Sequence, residues 1–372
     1  GSTAFFTMNQ GSGMIDSGKT IDVTSESYPV LTTSTGGNQI NTLYGYSGSM
    51  DPAIVRLSIT PLDTTKKMAV NIAGGTMVIQ KVKCQILDKE TEEIYEEKEL
   101  NALSDQAKKI DFTFDYAFDT SQEYIFALTA TTDTGRKIHY YTRLKYYTSD
   151  THLADKLAFA KKFHDDTFHK DNDRQLRGYL EPDASEPNDT LASVNIHSDV
   201  DLVTWGKLSP EVISDIVPTV KEFNTETACI WMNYYVKGTT SSGTEIFHVK
   251  EFYRVRYSGG RSYLLGFQRT MEATFDEKMA SVNKNQLKLG ITQDTDMDLL
   301  TSEDGKMLYF ARNGILYRYD MNKGQNKLHE VYRHFTKDAA DIYTLNDENA
   351  IRINKLDEDG NLPHGDRALI AD

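Results

Sequence analysis

The stretch from Ala228 to Met271 constrains the fold more than any other part of the chain. Ala228, Ile230, Met232, Tyr234 and Val236 share one side of a two-residue repeat, and Cys229, Trp231, Asn233 and Tyr235 share the other. Such alternation marks a strand with one buried face. The polar run from Gly238 to Gly243 supplies a turn. A second strand sets Phe247, Val249, Tyr253, Val255 and Tyr257 against His248, Lys250, Phe252, Arg254 and Arg256. Ser258-Gly259-Gly260-Arg261 predicts a tight turn, because glycine takes positive φ without a Cβ clash. The third strand carries Tyr263, Leu265 and Phe267 on one side. The pattern predicts an antiparallel meander whose outer face is aromatic and basic.

Helices are expected beside this meander. Leu153, Leu157, Ala160 and His164 recur at helical spacing after Asp150 or Thr151, either of which can cap the start. This places a helical linker over 149–190. Ser209-Pro210-Glu211 predicts a second helix, with Val212, Ile213, Ile216, Val217 and Val220 as its apolar stripe and Pro218 as its break. Packed on the meander's apolar face, that helix would make 191–290 an α+β domain. A further helix is expected from Met271 to about Val282.

From 54 to 148 the pattern is that of a β-sandwich. Candidate strands are Val55 to Thr60, Met68 to Ile72, Met77 to Leu87, Ile110 to Phe118, Tyr124 to Thr131 and Lys137 to Tyr146, separated by Asp and Gly turns. The run from Phe118 to Leu128, followed by Asp133-Thr134-Gly135, resembles the late strands of immunoglobulin and fibronectin type III domains. The resemblance makes Tyr124 the corner tyrosine and implies a spacer or binding module. The segment departs from that family in having no core Trp.

Both ends of the chain differ from its middle. Residues 1–53 are rich in Gly, Ser, Thr and Asn, with short apolar pieces that suit N-terminal strands and loops. Near the other end, Asp304 to Phe310 and Asn313 to Asp320 read as two strands joined at Arg312-Asn313-Gly314. They resemble a blade of a secreted or periplasmic β-propeller, and Ile351 to Leu356 resembles the start of another, so 291–372 is expected to be a blade-like β segment. The whole is expected to be mainly β with an α+β middle domain.

Several features exclude function classes. A net charge of -14 argues against bulk attraction to nucleic acid or anionic lipid. No run of 18 apolar residues crosses a membrane, so membrane contact is expected only through a segment outside this sequence. Gly1 and Ser2 look like a cloning remnant. Two cysteines, Cys84 and Cys229, make neither a disulfide framework nor a zinc site. The string Gly13-Met14-Ile15-Asp16-Ser17-Gly18-Lys19-Thr20 matches a phosphate-binding loop, but the β-branched, proline-interrupted run behind it is not the helix such a loop requires. The His164 to Asp173 run has metal-binding residue types without an EF-hand's glycine and terminal Glu, and is expected to be a solvated acidic helix end. No nucleophile elbow and no His-Glu-x-x-His occurs. Catalysis, cofactor and metal are therefore not expected.

One candidate surface remains: Trp231, Tyr235, Lys250, Arg254 and Arg256 on the meander's outer face. Aromatic faces beside cations can hold a sugar or an anionic envelope polymer. The competing expectation is that the arginines pair with Glu245 or Glu251 while a neighbouring domain covers the aromatics. Ser185 to Thr190 resembles the opening of secreted pre-peptidase C-terminal domains and implies export. Leu43-Tyr44-Gly45-Tyr46, Thr60-Pro61-Leu62 and the run from Phe252 to Tyr257 resemble extracellular regions of membrane-anchored Gram-positive proteins without an assigned activity. Together these imply a non-catalytic, extracellular scaffold or binding module of the cell envelope, with an envelope polymer or another protein as partner. The alternative is an accessory region of a glycan-processing envelope enzyme whose catalytic part lies outside this chain.

Overall fold

A computed structural model describes residues 3–7, 28–46, 48–49, 58–74, 77–104, 107–185, 190–241, 243–273, 282–283, 286–291, 299–301, 306–312, 315–320, 327–333, 350–352 and 369–371. The phosphate-loop string lies outside them, as do most of 274–298. Two compact units divide the chain: 27–244 with 248–271, and 1–26 with 245–247 and 272–372. The fold is mainly β with a small helical part.

Strand β1 (Thr3–Thr7) belongs to the second unit. The first unit begins with a sandwich-like pair of sheets. Its strands are β2 (Val30–Thr35), β3 (Asn38–Leu43), β4 (Ile59–Leu62), β5 (Lys67–Gly74), β6 (Ile79–Asp88), β7 (Ile94–Leu100), β8 (Lys109–Thr113), β9 (Glu123–Thr132) and β10 (Lys137–Tyr146). One sheet has the order β4-β10-β9-β6-β7 and the other β3-β2-β5-β8. The second sheet thus draws two strands from upstream of residue 54. Alternating residues such as Val82, Cys84, Ile86, Phe126, Leu128, Ile138 and Tyr140 fill the core between the sheets. Strand β7 (IYEEKEL) is an edge whose charged run carries no apolar alternation; Glu97 and Glu99 are exposed, while Glu96 accepts the N–H groups of Asp115 and Tyr116. The Tyr124 side chain is buried, and its hydroxyl accepts the Asp119 N–H at 2.8 Å.

Helix α1 (Leu153–Thr167) follows, then a 3-10 turn (Lys170–Asn172) and the short α2 (Asp173–Arg177). Neither Asp150 nor Thr151 is the N-cap residue. His152 takes that position with φ 48° while Asp150 accepts its N–H at 2.8 Å. After β11 (Ser193–Asn195), α3 (Val200–Val203), β12 (Glu211–Val212) and β13 (Thr219–Phe223) comes the meander: β14 (Thr227–Thr240), β15 (Gly243–Ser258) and β16 (Arg261–Ala273). The sheet order is β11-β16-β15-β14-β12, with β13 also paired to β14. Gly259 and Gly260 both have positive φ, 59° and 79°, as the predicted turn demands.

Two local expectations are corrected. The helix placed at Ser209 does not form. Glu211 and Val212 instead pair with Lys237 and Val236, and the Ile213 N–H donates to the Tyr235 carbonyl. β-branched Val212 and Ile213 suit an edge strand better than a helix between two prolines. The helix that covers the meander is α1: Phe163 lies 5.8 Å from the Tyr253 ring and 5.0 Å from the Phe267 ring. Met271, expected to open a helix, is still in β16. Leu265 is exposed while Phe267 is buried, so the third strand does not keep one face along its length.

Strand β13 joins the sandwich to the meander. It pairs with β14, yet its other contacts are to the sandwich. Asn41, held at φ 57°, donates its N–H to the Pro218 carbonyl and accepts the Val220 N–H on its side-chain oxygen. Its amide also donates to the Ile59 carbonyl at 2.8 Å. Arg143 donates to the Lys221 carbonyl at 2.6 Å, and the Tyr147 ring meets Phe223 edge-on.

In the second unit, β1 pairs antiparallel with β18 (Gln286–Ile291), which also pairs with β17 (Val282–Asn283). Strands β19 (Leu299–Thr301), β20 (Met307–Arg312), β21 (Ile315–Asp320) and β22 (Lys327–Arg333) form a four-stranded antiparallel meander. Arg312 pairs with Ile315, as the hairpin expected from the sequence requires. Leu308, Tyr309 and Phe310 are all buried, so both faces of β20 are covered. The remaining pair is β23 (Ala350–Arg352) with β24 (Leu369–Ala371). The second expected blade start lies otherwise outside the described residues.

Candidate functional site

The meander sheet has two faces of different chemistry. On the inner face of β15, the residue between Val249 and Tyr253 is Glu251, which is 0% exposed. Alternation alone dictates this direction. His164, on the buried stripe of α1, brings Nδ1 to 2.7 Å from Glu251 Oε2. Tyr234 from β14 donates its hydroxyl to Oε1, and Tyr253 donates its own to Oε2, each at 2.7 Å.

Arg269 of β16 is buried beside this group and donates to the carbonyls of Leu202 and Val203 at the end of α3. Its guanidinium lies 3.7 Å above the ring of Trp205. Trp205 has φ 71°, an uncommon backbone state for a bulky residue, at the point where the chain leaves α3. The cation over its ring and the Phe168 ring beside it hold it there.

The electrostatics follow from burial against pairing. Burial opposes charge on Glu251, but the His164 imidazole and the Tyr234 hydroxyl more than offset it and hold the carboxyl below its ordinary value. Burial likewise pulls His164 down, and the Glu251 carboxylate overrides it, so the imidazole pKa is raised. Burial pushes the Tyr234 and Tyr253 hydroxyls well up, so they stay protonated donors. The Glu251, Tyr234 and Tyr253 side chains are fully buried. The cluster holds charge in place.

This placement corrects two expectations. Glu251 is unable to pair with the outer arginines, because it points inward. The stretch after His164 is not simply a solvated helix end: His164 is engaged by Glu251, and Asp166, also buried, accepts from Lys162 at 2.6 Å and from Asn172 at 3.2 Å. Among the described residues no group of three or more His, Cys, Asp or Glu side chains could hold a metal ion.

The outer face carries the surface singled out in the sequence. Arg254 and Arg256 are exposed, and Trp231 and Lys250 are half-buried. Tyr235 is the exception at 5% exposure, with its N–H donated to Ser214 Oγ. Its ring lies beside His248, whose pKa burial drives down to about 3. Trp231 leans on Phe252, with ring centroids 5.2 Å apart.

The structure adds two residues that the sequence did not single out. The Tyr263 ring lies under two guanidiniums, Arg256 at 5.2 Å and Arg261 at 4.5 Å, and Arg261 Nε also donates to the Tyr263 hydroxyl. Arg254, Arg256 and Arg261 form no ion pair with any described residue. The turn residues Gly259 and Gly260 were a signal, since a two-residue hairpin sets Arg261 within reach of the ring near its own strand's start.

No protein-family model matches the chain, and no curated protein sequence is detectably similar to it. No helix among the described residues is long and apolar enough to cross a membrane.

Proposed function

We propose that the chain is a non-catalytic scaffold and binding module of an extracellular, cell-envelope protein. The observation that carries this reading is β13, which pairs within the meander sheet while Asn41 and Arg143 of the sandwich bond its backbone. A tether between independent modules would cross a polar linker with few contacts. A strand shared by both makes 27–244 with 248–271 a stiff body, which suits presenting a surface at fixed orientation.

The sandwich supports an immunoglobulin-like reading. Strands β10, β9, β6 and β7 lie in the order of G, F, C and C′, while β2, β5 and β8 lie in that of A, B and E. The Tyr124 hydroxyl bonded to the Asp119 backbone fits the corner tyrosine of such domains. Such modules are used as spacers and binders, and this implication is one of fold analogy. The β19-β20-β21-β22 meander fits a propeller-like blade in strand number and direction.

Two measurements test the proposal. Incubated with isolated Gram-positive envelope fragments, the chain is expected to co-sediment saturably and to release no soluble sugar. Absence of saturable binding, or release of glycan fragments, overturns it. Asn41→Ala removes its side-chain bonds to Val220 of β13 and to Ile59, and is expected to cost about 1–3 kcal/mol by urea denaturation, because it strands buried partners. Small-angle scattering should then show a broader distribution of shapes than for the wild type.

A further inference from the structure

The outer face holds three exposed arginines, Arg254, Arg256 and Arg261, none of which is ion-paired to a described residue. This is unexpected in a chain of net charge -14, with 55 acids available against 41 bases. Arg254 and Arg256 project from the same side of β15, about 7 Å apart along the strand. Arg256 and Arg261 converge on one Tyr263 ring. Gly266 lies beside Arg254, where an added Cβ would stand 3.7 Å from the arginine's own Cβ, so the neighbouring strand leaves this row open.

We infer that this arginine row is a docking site for a polyanion of repeating phosphodiesters, of the polyol-phosphate kind. The inference rests on the binding-module reading above and gives it a ligand class. Charge complementarity carries it. Guanidinium presents a planar fork of donors that matches phosphate oxygens, and unpaired guanidiniums lose no carboxylate on binding. The aromatic chemistry selects among anions. A uronic-acid glycan is gripped by stacking sugar faces on an open ring, but the Tyr263 ring is occupied by two guanidiniums and Trp231 leans on Phe252. The chain's overall charge opposes a long polynucleotide. What the face offers is fixed positive charge along a strand.

The test is titration of the whole chain with a synthetic poly(glycerol phosphate) oligomer, a polygalacturonate and a single-stranded oligodeoxynucleotide of matched charge, at two salt concentrations. Saturable binding of the polyol phosphate that weakens with salt is expected, with the other two polymers binding at least about tenfold more weakly. Arg254→Ala and Arg256→Ala should each weaken it about two- to fivefold, and the triple alanine variant at least tenfold. The variants should keep the wild-type circular dichroism. A triple lysine variant, which keeps the charge but loses the planar donor fork, should bind more weakly than the wild type and more tightly than the triple alanine variant. Equal or tighter binding of the oligonucleotide or the polyuronate overturns the inference, as does a triple alanine variant that binds like the wild type. If the chain sediments with envelope fragments yet ignores poly(glycerol phosphate), the ligand class fails while the binding-module reading stands. If it does neither, both fail.

Discussion

The two faces of the meander sheet handle charge in opposite ways. On the inner face a carboxylate, an imidazole and a guanidinium are buried, and each has found partners: Glu251 accepts from two tyrosines and faces His164, and Arg269 caps the carbonyls of Leu202 and Val203. On the outer face Arg254, Arg256 and Arg261 have no ion-pair partner among the described residues. Burial explains the contrast. A charge removed from water needs partners to offset its lost hydration, whereas an exposed one is solvated and needs none. The inner charges therefore serve the fold, and the outer arginines stand in solvent.

The sharpest way to break this comparison is Glu251→Ala. Removing one partner strands the other buried groups and is expected to cost about 3–5 kcal/mol by urea denaturation. A loss under about 1 kcal/mol would mean that the inner cluster is dispensable and the distinction between the faces is false. The effect should be specific to the inner side, because His164, Tyr234 and Tyr253 all converge on that one carboxylate.

A smaller effect comes from pH. His164 is raised in the folded state, so its contribution is complete below the unfolded value near 6.5 and is lost as pH climbs through the folded pKa. Glu251 is lowered, so its contribution is complete above the unfolded value near 4.3 and is lost as pH falls through the folded pKa. The pair should therefore stabilise most between about pH 4.3 and 6.5. Urea midpoints of wild type and His164→Gln compared across pH check this: the difference should peak in that window and shrink on both sides. A pH-independent difference would show that the two groups are not an ion pair.

The sequence disclosed much of the outer face and little of the inner network. Alternation in β14 and β15 set which residues look outward, and Arg254, Arg256 and Trp231 lie where the pattern puts them. The same alternation set Glu251 inward between Val249 and Tyr253, and His164 was on the apolar stripe of its helix. Each looks like a stray polar residue by itself. Only the packing of α1 on the sheet brings them within 2.7 Å, and no sequence period encodes that approach. The Ser209 segment was misassigned for a related reason. Local capping signals favoured a helix, while the open edge of β14 offered its backbone a strand partner that lies more than twenty residues on. Strand β7 was missed because its run of charged residues carries no apolar alternation, although Tyr95 packs against the sandwich core.

The least perturbing substitutions define the other side of the comparison. Arg254→Ala should change stability by less than about 0.5 kcal/mol, since its side chain is exposed and carries no ion pair to a described residue. Arg256→Ala should cost slightly more, about 0.5–1 kcal/mol, because it also removes a cation from above the Tyr263 ring. Both can be read from urea midpoints at neutral pH, alongside Glu251→Ala. A loss above about 1.5 kcal/mol for either arginine would place it among the groups that hold the sheet together. The outer row would then be structural, as the inner cluster is, and the case for a ligand there would weaken with it. Small losses in stability, together with a large loss in polyanion binding, are the combination that only a recognition surface produces.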